Sequence, residues 1–427
     1  MKIKTKSLSY DAVMALPRPK HLPPKRPNRF FRTLVRLVGR GDLRDVAFSW
    51  RCTRMEDFPD APALILMNHS SFLDLEIAAE VFADRPYCIV CTSDGFVGKP
   101  FLMRQLGCIP TKKFVTDLTL VSDIRAALRN GCSVLMFPEA SYSFDGTATP
   151  LPRRLGVLLK RLAAPVISVR TFGAFARDPL YNCLQKRKVH VSAEVTGLLT
   201  PDEIRETSVP ELDAILDRAF TFDHFAWQRD NKIEISEPFR ADGLHRILYK
   251  CPVCGAEARM HGEGVTLTCG ACGKKWTLDR FGVLVPEGHD GGFSHIPDWY
   301  RWERDCVRDE LGRGEYRMET PVVIRMVVDY KAAYTVGTGT LIHDASGFTL
   351  TGCEGKLCYR QPPQASYGLY ADYYWYELGD VICIGDSDAL YYCFPEDPTV
   401  PVAKARLAAE ELYKLAKSKK TESEVKL

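Results

Sequence analysis

A histidine and an aspartate in one short polar run, Asn68-His69-Ser70-Ser71-Phe72-Leu73-Asp74, are the residues of this chain best suited to chemistry. A neutral imidazole can take the proton of a hydroxyl that attacks an activated acyl group, while a carboxylate orients the ring. Five positions on a regular helix separate two side chains by about 140°. His69 and Asp74 therefore meet only if His69 lies in a turn and Asp74 on the helix that follows. The alternative is a capping aspartate beside a surface histidine.

The flanking residues predict such a turn. The apolar run 63–67 is typical of a buried strand, and residues 75–79 favour a helix. Asn68, Ser70 or Ser71 could cap that helix through a side-chain oxygen.

Three further segments follow in a particular order. Residues 133–137 form a second apolar strand that ends at Pro138 and Glu139, and residues 164–169 form another strand, entered through a proline. Between the first two strands, a short strand precedes Lys112 and Lys113.

This order resembles the four sequence blocks of the glycerolipid acyltransferases, the 1-acylglycerol-3-phosphate (PlsC-type) lysophospholipid acyltransferase family, over about residues 60–175. The family's Asn-His-x-Ser-x-x-Asp block is matched by Asn68, His69, Ser71 and Asp74, and its Gly-x-Ile block by Gly107 and Ile109. Its Phe-Pro-Glu sequence is matched at 137–139.

Two departures affect phosphate recognition. Lys113 stands where the family usually has an arginine that grips the acceptor phosphate, so a point charge replaces a bidentate fork. Ala140, Ser141 and Tyr142 stand where Gly, Thr and Arg are usual. The residues for chemistry at His69 are present, whereas phosphate recognition is expected to be altered.

The resemblance implies transfer of a fatty acyl group from acyl-CoA or acyl carrier protein to the hydroxyl of a lysophospholipid or related glycerolipid. His69 would be the general base, Asp74 would orient it, and Glu139 would bind acceptor hydroxyls or position the headgroup. Nearby cations would bind a phosphate or the coenzyme A diphosphate, unless they form an ordinary solvated surface. The candidate substrate-binding residues are Gly107, Lys112, Lys113, Pro138, Glu139, Ser141, Arg153 and Arg154.

Four cysteines have the spacing of a metal site. Cys251 and Cys254 form one Cys-x-x-Cys knuckle, and Cys269 and Cys272 form a second, each followed by a glycine that lets the backbone turn. With predicted strands at 264–268 and 275–278, this segment resembles a zinc ribbon. Four sulfur ligands leave no open position, so a structural Zn²⁺ is expected, and the cysteine usage favours a reducing cytosol.

The N-terminal residues are strongly basic. Residues 1–54 contain 14 Lys or Arg and 3 Asp, a local charge of +11, which leaves −8 for the remainder of a chain of net charge +3. Prolines predict an extended start, and Asn28 can cap an amphipathic helix. Its face would carry Phe30, Phe31, Leu34, Val35 and Val38 beside Arg29, Arg32 and Arg36.

This helix suits an anionic membrane surface, with docking on the catalytic domain and a nucleic-acid arm as alternatives. No run is long enough to span a bilayer, and no secretory signal is expected. These observations predict a cytoplasmic, peripheral protein on the inner face of the membrane.

The last part of the chain predicts a β domain. Its expected elements are a helix at 299–311, seven strands (322–328, 338–343, 347–351, 356–359, 372–377, 381–385 and 389–394) and a final helix from 399 or 400 to 416. This pattern resembles a pleckstrin-homology or GRAM-like barrel, which would bind lipid headgroups or partner proteins or serve as a structural appendage. Its tyrosine cluster at 367–376 could be a binding surface or core.

The expected fold class is α/β, a central sheet flanked by helices, with a small zinc ribbon and a β-barrel-like domain that ends in a helix. The predicted units are a basic N-terminal segment (1–54), an acyltransferase domain (55–245), the ribbon (246–285) and the PH/GRAM-like domain (286–427). An active acyltransferase is the preferred function. The alternative is a non-catalytic lipid- or acyl-chain-binding protein on the same fold, and nucleic-acid binding is the least favoured.

Overall fold

The computed structural model describes residues 2–58, 61–115, 117–288 and 292–425, with side chains to residue 418. The first residues of the chain pack against the C-terminal half of the fold. The first elements are β1 (Thr5–Ser7), α1 (Tyr10–Met14) and α2 (Arg29–Asp45). β1 pairs in parallel with residues 333–335, and Val13 of α1 is fully buried in the largest core. The N-terminal segment therefore packs against the C-terminal half, while residues 17–28, which contain the prolines, form neither helix nor strand.

Helix α2 begins after Asn28, whose side chain accepts a hydrogen bond from the Phe30 amide, as predicted. Arg36 forms a bidentate pair with Glu80 at 2.8 and 3.0 Å. Arg32 donates to the carbonyls of Phe82, Ala83 and residue 85. Two arginines of α2 thus dock on the protein together with Leu43, whereas Phe30, Leu34, Leu37 and Val38 are exposed.

Seven strands form a mainly parallel sheet in the order β2-β8-β7-β3-β6-β4-β5. They are β2 (Ser49–Thr53), β3 (Leu64–Met67), β4 (Tyr87–Thr92), β5 (Cys108–Thr111), β6 (Ser133–Met136), β7 (Val166–Phe172) and β8 (Ser192–Leu199). Within this sheet, as far as the described residues show, only the β7–β8 pair is antiparallel. Because β2 is an edge strand of this sheet, the sheet begins at Ser49, and the predicted boundary at residue 54 is too late.

Helices cover both faces of this sheet. They are α3 (Asp74–Val81), α4 (Pro100–Gln105), α5 (Leu118–Arg129), α6 (Leu155–Leu162), α7 (Ala174–Arg177), α8 (Pro201–Glu206), α9 (Val209–Phe220) and α10 (His224–Asp230). Successive residues of β3 point to opposite faces. Ile65 packs in a core that contains Ile77 of α3, and Leu64 packs in a core that contains Ile124 of α5. Burial on both faces explains the continuous apolar runs in these strands.

The second half of the chain contains two antiparallel sheets. Strands β9 (Met260–Glu263), β10 (Thr266–Cys269), β11 (Lys275–Leu278) and β12 (Leu284–Pro286) form the ribbon, and α11 (Ile296–Arg313) follows. The larger sheet contains β13 (Arg317–Val327), β14 (Ala333–Asp344), β15 (Gly347–Gly352), β16 (Leu357–Gln361), β17 (Tyr370–Asp372), β18 (Val381–Gly385) and β19 (Leu390–Pro395). Their order is β16-β15-β14-β13-β19-β18-β17, and α12 (Val402–Val425) completes the chain's described residues.

One predicted strand of this domain is wrong. The alternation at 372–377 predicts a strand, but β17 ends at Asp372 and Trp375–Glu377 is a 3₁₀ turn. Tyr374, Tyr376 and Glu377 take φ values of 54°, 47° and 66°, in the left-handed region that a strand does not use. The final helix also continues beyond the predicted end at residue 416.

A single hydrophobic core joins the predicted units. It contains Phe144 beside the parallel sheet, Trp276 of the ribbon, Trp299 of α11, Ile324 of β13 and Leu407 of α12. The predicted divisions after residues 245 and 285 therefore separate sequence modules that pack together. Residues 289–291 and 426–427 of the predicted last unit lie outside the described residues. Within the described ranges, no helix is both long and apolar enough to cross a bilayer.

Candidate active site

Loops at the carboxyl ends of β3, β4, β5 and β6 surround a cavity of about 710 Å³. This is the edge of a parallel sheet at which ligands commonly bind. His69, Lys113 and Tyr142 line the cavity from the parallel sheet, and the segments 364–367 and 372–377 line it from the larger antiparallel sheet. The two halves of the chain therefore form the cavity together.

His69 and Asp74 meet across the turn that joins β3 to α3. The imidazole Nδ1 lies 3.0 Å from Asp74 Oδ2, and the same oxygen accepts hydrogen bonds from the backbone amides of Ser70 and Ser71 at 2.9 and 3.1 Å. Ser71 Oγ accepts from the Leu73 amide just before the helix. Asp74 is fully buried, so the turn places its carboxylate beneath the ring.

The His69 ring lies between two aromatic rings. Its centroid is 4.1 Å from that of Phe137 and 3.7 Å from that of Tyr142, and both pairs are stacked. Tyr142 is the residue at the family's arginine position. Ala140, at the family's glycine position, takes a φ of 56°, the left-handed conformation that glycine adopts without strain.

The surroundings favour a neutral imidazole. Burial, and secondarily the Lys113 ammonium, lowers the pKa of His69 well below its ordinary 6.5. Burial raises the pKa of Asp74 to about 7, against the two backbone hydrogen bonds that lower it. A neutral ring that donates its Nδ1 hydrogen to Asp74 leaves Nε2 as the proton acceptor, which is the form a general base requires.

Glu139 supports the His69 turn from the neighbouring strand. One carboxylate oxygen accepts a hydrogen bond from the His69 amide at 3.0 Å, and the other accepts one from the Thr149 amide at 3.1 Å. Glu139 is 3% exposed. Both carboxylate oxygens thus hold backbone amides, which supports the turn that carries His69, and the expected role in binding acceptor hydroxyls or positioning the headgroup stays a prediction.

The other predicted substrate-binding residues separate into two groups. Lys112, Lys113 and Pro138 line the cavity. The residues outside the cavity wall are Gly107, Ser141, Arg153 and Arg154. Gly107 takes a φ of 77°, and a Cβ there would lie 3.2 Å from Pro27. Arg153 is largely exposed beside Asp217, and Arg154 takes a left-handed φ of 70° at the start of α6, both away from the cavity wall.

An arginine that no sequence motif indicated contacts the residues that follow Phe137-Pro138-Glu139. Arg406 of α12 donates to Ser141 Oγ at 3.0 Å and to the Tyr142 carbonyl at 3.2 Å. It is 4% exposed, pairs with Glu410 and lies 4.3 Å over the Phe144 ring. Because Arg406 is more than 260 positions away in sequence from Ser141, no local pattern could identify it. It holds the loop whose tyrosine covers His69.

The four predicted metal ligands lie together in the ribbon. The sulfur atoms of Cys251, Cys254, Cys269 and Cys272 are all within 4.8 Å of one another, an arrangement that could hold a metal ion. Two sulfur pairs are separated by 3.8 and 3.7 Å. Gly255 and Gly273, which follow the two knuckles, have φ values of 73° and 75°, as the predicted turns require.

Comparisons with known proteins give the class of the first domain. Residues 49–171 match the Acyltransferase family model, so this part of the chain is similar to that family. The crystal structure of the 1-acyl-sn-glycerophosphate (LPA) acyltransferase PlsC from Thermotoga maritima is similar to the chain at 16% identity. That similarity covers 44% of this chain and 79% of the Thermotoga chain, with a TM-score of 0.35. No curated protein sequence matches the chain.

We expect the charge of Lys113 to lower the pKa of His69. In histidine-labelled protein followed by NMR, the His69 ring should titrate well below pH 6.5, because its folded pKa is lowered. Lys113→Met should raise this pKa, although burial, the larger cause, should keep it below 6.5. Lys112→Met, which removes the adjacent lysine, should leave it unchanged. Titration of His69 at or above pH 6.5 in the native protein would contradict this account of the site.

Proposed function

We propose that the protein transfers a fatty acyl group from a thioester donor, acyl-CoA or acyl carrier protein, to the hydroxyl of a lysophospholipid or related glycerolipid. The observation that carries this proposal is the buried contact of 3.0 Å between His69 and Asp74, in a cavity of an acyltransferase-family domain. Apolar side chains supply most of the exposed area of that cavity, which suits an acyl chain. Among them are Met103, Phe114 and Leu120.

The proposed reaction is direct transfer. His69 Nε2 takes the proton of the acceptor hydroxyl while the acceptor oxygen attacks the thioester carbonyl. The new C–O ester bond forms, the C–S bond breaks, and the leaving thiolate receives the proton that His69 took. Asp74 stabilises the imidazolium that forms during the transfer. Glu139 and Arg406 are positioning residues, because they hold the backbone of the two loops that carry His69 and Tyr142.

We expect His69→Ala to lower acyl transfer by about 100-fold or more, since a positioned general base contributes roughly 10²–10⁴ to the rate. Thioester consumption should be measured with oleoyl-CoA against a panel of lysophospholipids and glycerol esters. Asp74→Asn should cause a similar loss, because the amide cannot stabilise the imidazolium. Arg153→Ala, at an exposed position, is the control and should retain full activity. Equal turnover by His69→Ala and native protein would contradict the proposed base.

The second candidate is a non-catalytic protein that binds a lipid or acyl chain. The observation that favours it is the Tyr142 ring, which covers one face of His69 at the position where the family has an arginine. The same assay separates the two candidates. A protein that binds oleoyl-CoA but does not consume it with any acceptor would support the binding function.

We also propose that α2 places the protein on the cytoplasmic face of the membrane as a peripheral protein. Phe30, Leu34, Leu37 and Val38 of α2 are 68%, 43%, 56% and 73% exposed. Phe31 forms an edge contact with Phe101, which is 69% exposed and extends the same apolar surface. The exposed Arg29 and Arg44 are available to anionic headgroups, since Arg32 and Arg36 contact the protein.

Leu34→Glu/Val38→Glu should weaken cosedimentation with vesicles of phosphatidylcholine and phosphatidylglycerol, because it places two carboxylates on the apolar face of α2. Leu22→Glu, which alters an exposed leucine outside the helix, is the control. Binding should fall with increasing salt, as the headgroup attraction is screened. Unchanged binding by the double variant would exclude α2 as the membrane contact.

We propose that the ribbon holds a structural zinc ion. Tetrahedral bonds of about 2.3 Å to thiolates place the sulfurs roughly 3.8 Å apart, which matches the two close sulfur pairs. Because Cys251 and Cys269 are buried in the core shared with Trp276, metal binding would stabilise the region that joins the two sheets.

Purified protein should contain one zinc per chain by atomic emission spectroscopy, and Cys254→Ser should abolish it and lower the unfolding temperature. Cys358→Ser is the matched control, since Cys254 and Cys358 are both exposed but only Cys254 belongs to the cluster. Full zinc content in Cys254→Ser would rule out the four-sulfur site.

A further inference from the structure

Two buried carboxylates belong to the cavity wall. Asp94 follows β4 and is 3% exposed, and Asp372 ends β17 and is 9% exposed. Both line the cavity. Asp94 Oδ2 accepts a hydrogen bond from the Tyr370 hydroxyl at 3.3 Å, whereas Oδ1 is buried without a hydrogen-bond partner among the described residues. An unpartnered buried oxygen in a cavity wall is a site for a hydrogen-bond donor of the ligand.

The nearby cation is already compensated. Lys113 stands at the family's phosphate-gripping position, and its ammonium lies 4.3 Å from the centroid of the Tyr370 ring. Burial lowers the pKa of Lys113, and the charges of Asp372 and Asp94 act in the opposite direction. A phosphomonoester placed here would bring a charge of up to −2 beside the Asp94 carboxylate and beside Asp372, whose own pKa burial raises to about 7, which is unfavourable.

The remaining lysines of the cavity wall are less suited to hold a phosphate beside His69. Lys112 donates its ammonium hydrogen to the Ser387 carbonyl, and Lys417 lies on the exposed part of α12. Lys99 is half-buried and lines the same cavity. These cations suit the diphosphate of a thioester donor, which can extend toward solvent, better than a buried acceptor headgroup.

The wall beside Asp372 is also held in an unusual conformation. Tyr374, Tyr376 and Glu377, which all line the cavity, have positive φ values of 54°, 47° and 66°. Left-handed conformations cost energy for residues other than glycine and cluster at ligand-binding sites. The strained turn places aromatic side chains around the carboxylates, so the pocket offers apolar faces and hydrogen-bond acceptors.

From this chemistry we infer that the acceptor has a neutral, hydroxyl-bearing headgroup without phosphate, such as a monoacylglycerol or another uncharged polyol lipid. The inference deepens the proposed acyl transfer and rests on it. An acceptor hydroxyl donates to Asp94 Oδ1, and the tyrosine rings contact its carbons. An ammonium headgroup is disfavoured, since Lys113 already occupies the position over the Tyr370 ring.

The test compares two acceptors that differ only in the phosphate, 1-oleoylglycerol and 1-oleoylglycerol-3-phosphate, with oleoyl-CoA as donor and the full-length protein. We expect kcat/KM to favour the neutral acceptor by at least about tenfold. Asp94→Asn should reduce that preference, whereas Asp309→Asn, on the exposed side of α11, should retain it. His69-dependent turnover that is equal or faster with the phosphate acceptor would overturn the inference and leave the proposed transfer intact.

Lack of turnover with both acceptors would count against the proposed function. A binding measurement would then still test the neutral headgroup site. The unfolding temperature of His69→Ala would be measured with each lipid in mixed micelles. A larger increase with 1-oleoylglycerol, diminished by Asp94→Asn, would support a neutral headgroup site. An equal or larger increase with the phosphate lipid, or no increase with either, would overturn it.

Discussion

The buried carboxylate of Asp74 is the constraint around which the site is organised. Its Oδ2 atom lies within hydrogen-bond distance of three nitrogen atoms, the Ser70 and Ser71 amides and His69 Nδ1. These donors offset part of the free-energy cost of burying the carboxylate, so they favour this shape of the turn. Glu139 imposes a second constraint from β6, because it accepts a hydrogen bond from the His69 amide. A carboxylate at the start of α3 thus holds the His69 ring, and one in the loop after β6 holds the His69 backbone.

The antiparallel half of the chain completes this arrangement. Arg406 binds Ser141 and the Tyr142 carbonyl, and it also pairs with Glu410. Arg304 of α11 lies 2.7 Å from the same glutamate. Breaking a buried network of this kind is costly, because each remaining charge loses its compensation. The loop that covers His69 is therefore tied to two helices of the second half, and the cavity cannot be described from the acyltransferase-family domain alone.

Local patterns predicted the parts of the site that depend on local geometry. The apolar runs of β3 and β6 predicted that both strands are buried, and the residues after β3 predicted the turn that brings His69 to Asp74. The spacing of the cysteines likewise predicted their cluster. The role of Glu139 could not be predicted, because a sequence does not show which donors a carboxylate will meet. Alternating aromatic residues predicted a strand at 372–377, but tertiary packing there favours left-handed backbone.

Pairing between segments that are far apart in the chain could not be predicted from local sequence patterns. β1 is three residues long and pairs with β14 through Thr5 and Ala333. No local sequence feature of either segment shows which strand it will pair with. The basic residues around β1 indicated an independent arm. Arg406 is a comparable case, since its contacts join segments that only the complete fold brings together.

The pairing of β1 with β14 also has a consequence for biosynthesis. Roughly 330 residues separate the two strands, and at 5–20 residues per second the ribosome needs about 15–65 s to add them. During that interval β1 has no strand to pair with, and Val13 of α1 lacks part of the core that buries it. The parallel sheet can emerge and fold first, but its cavity stays open until the segment at 364–377 and α12 have been translated. The nascent chain therefore carries the histidine–aspartate pair before the segments that complete the cavity wall have been made.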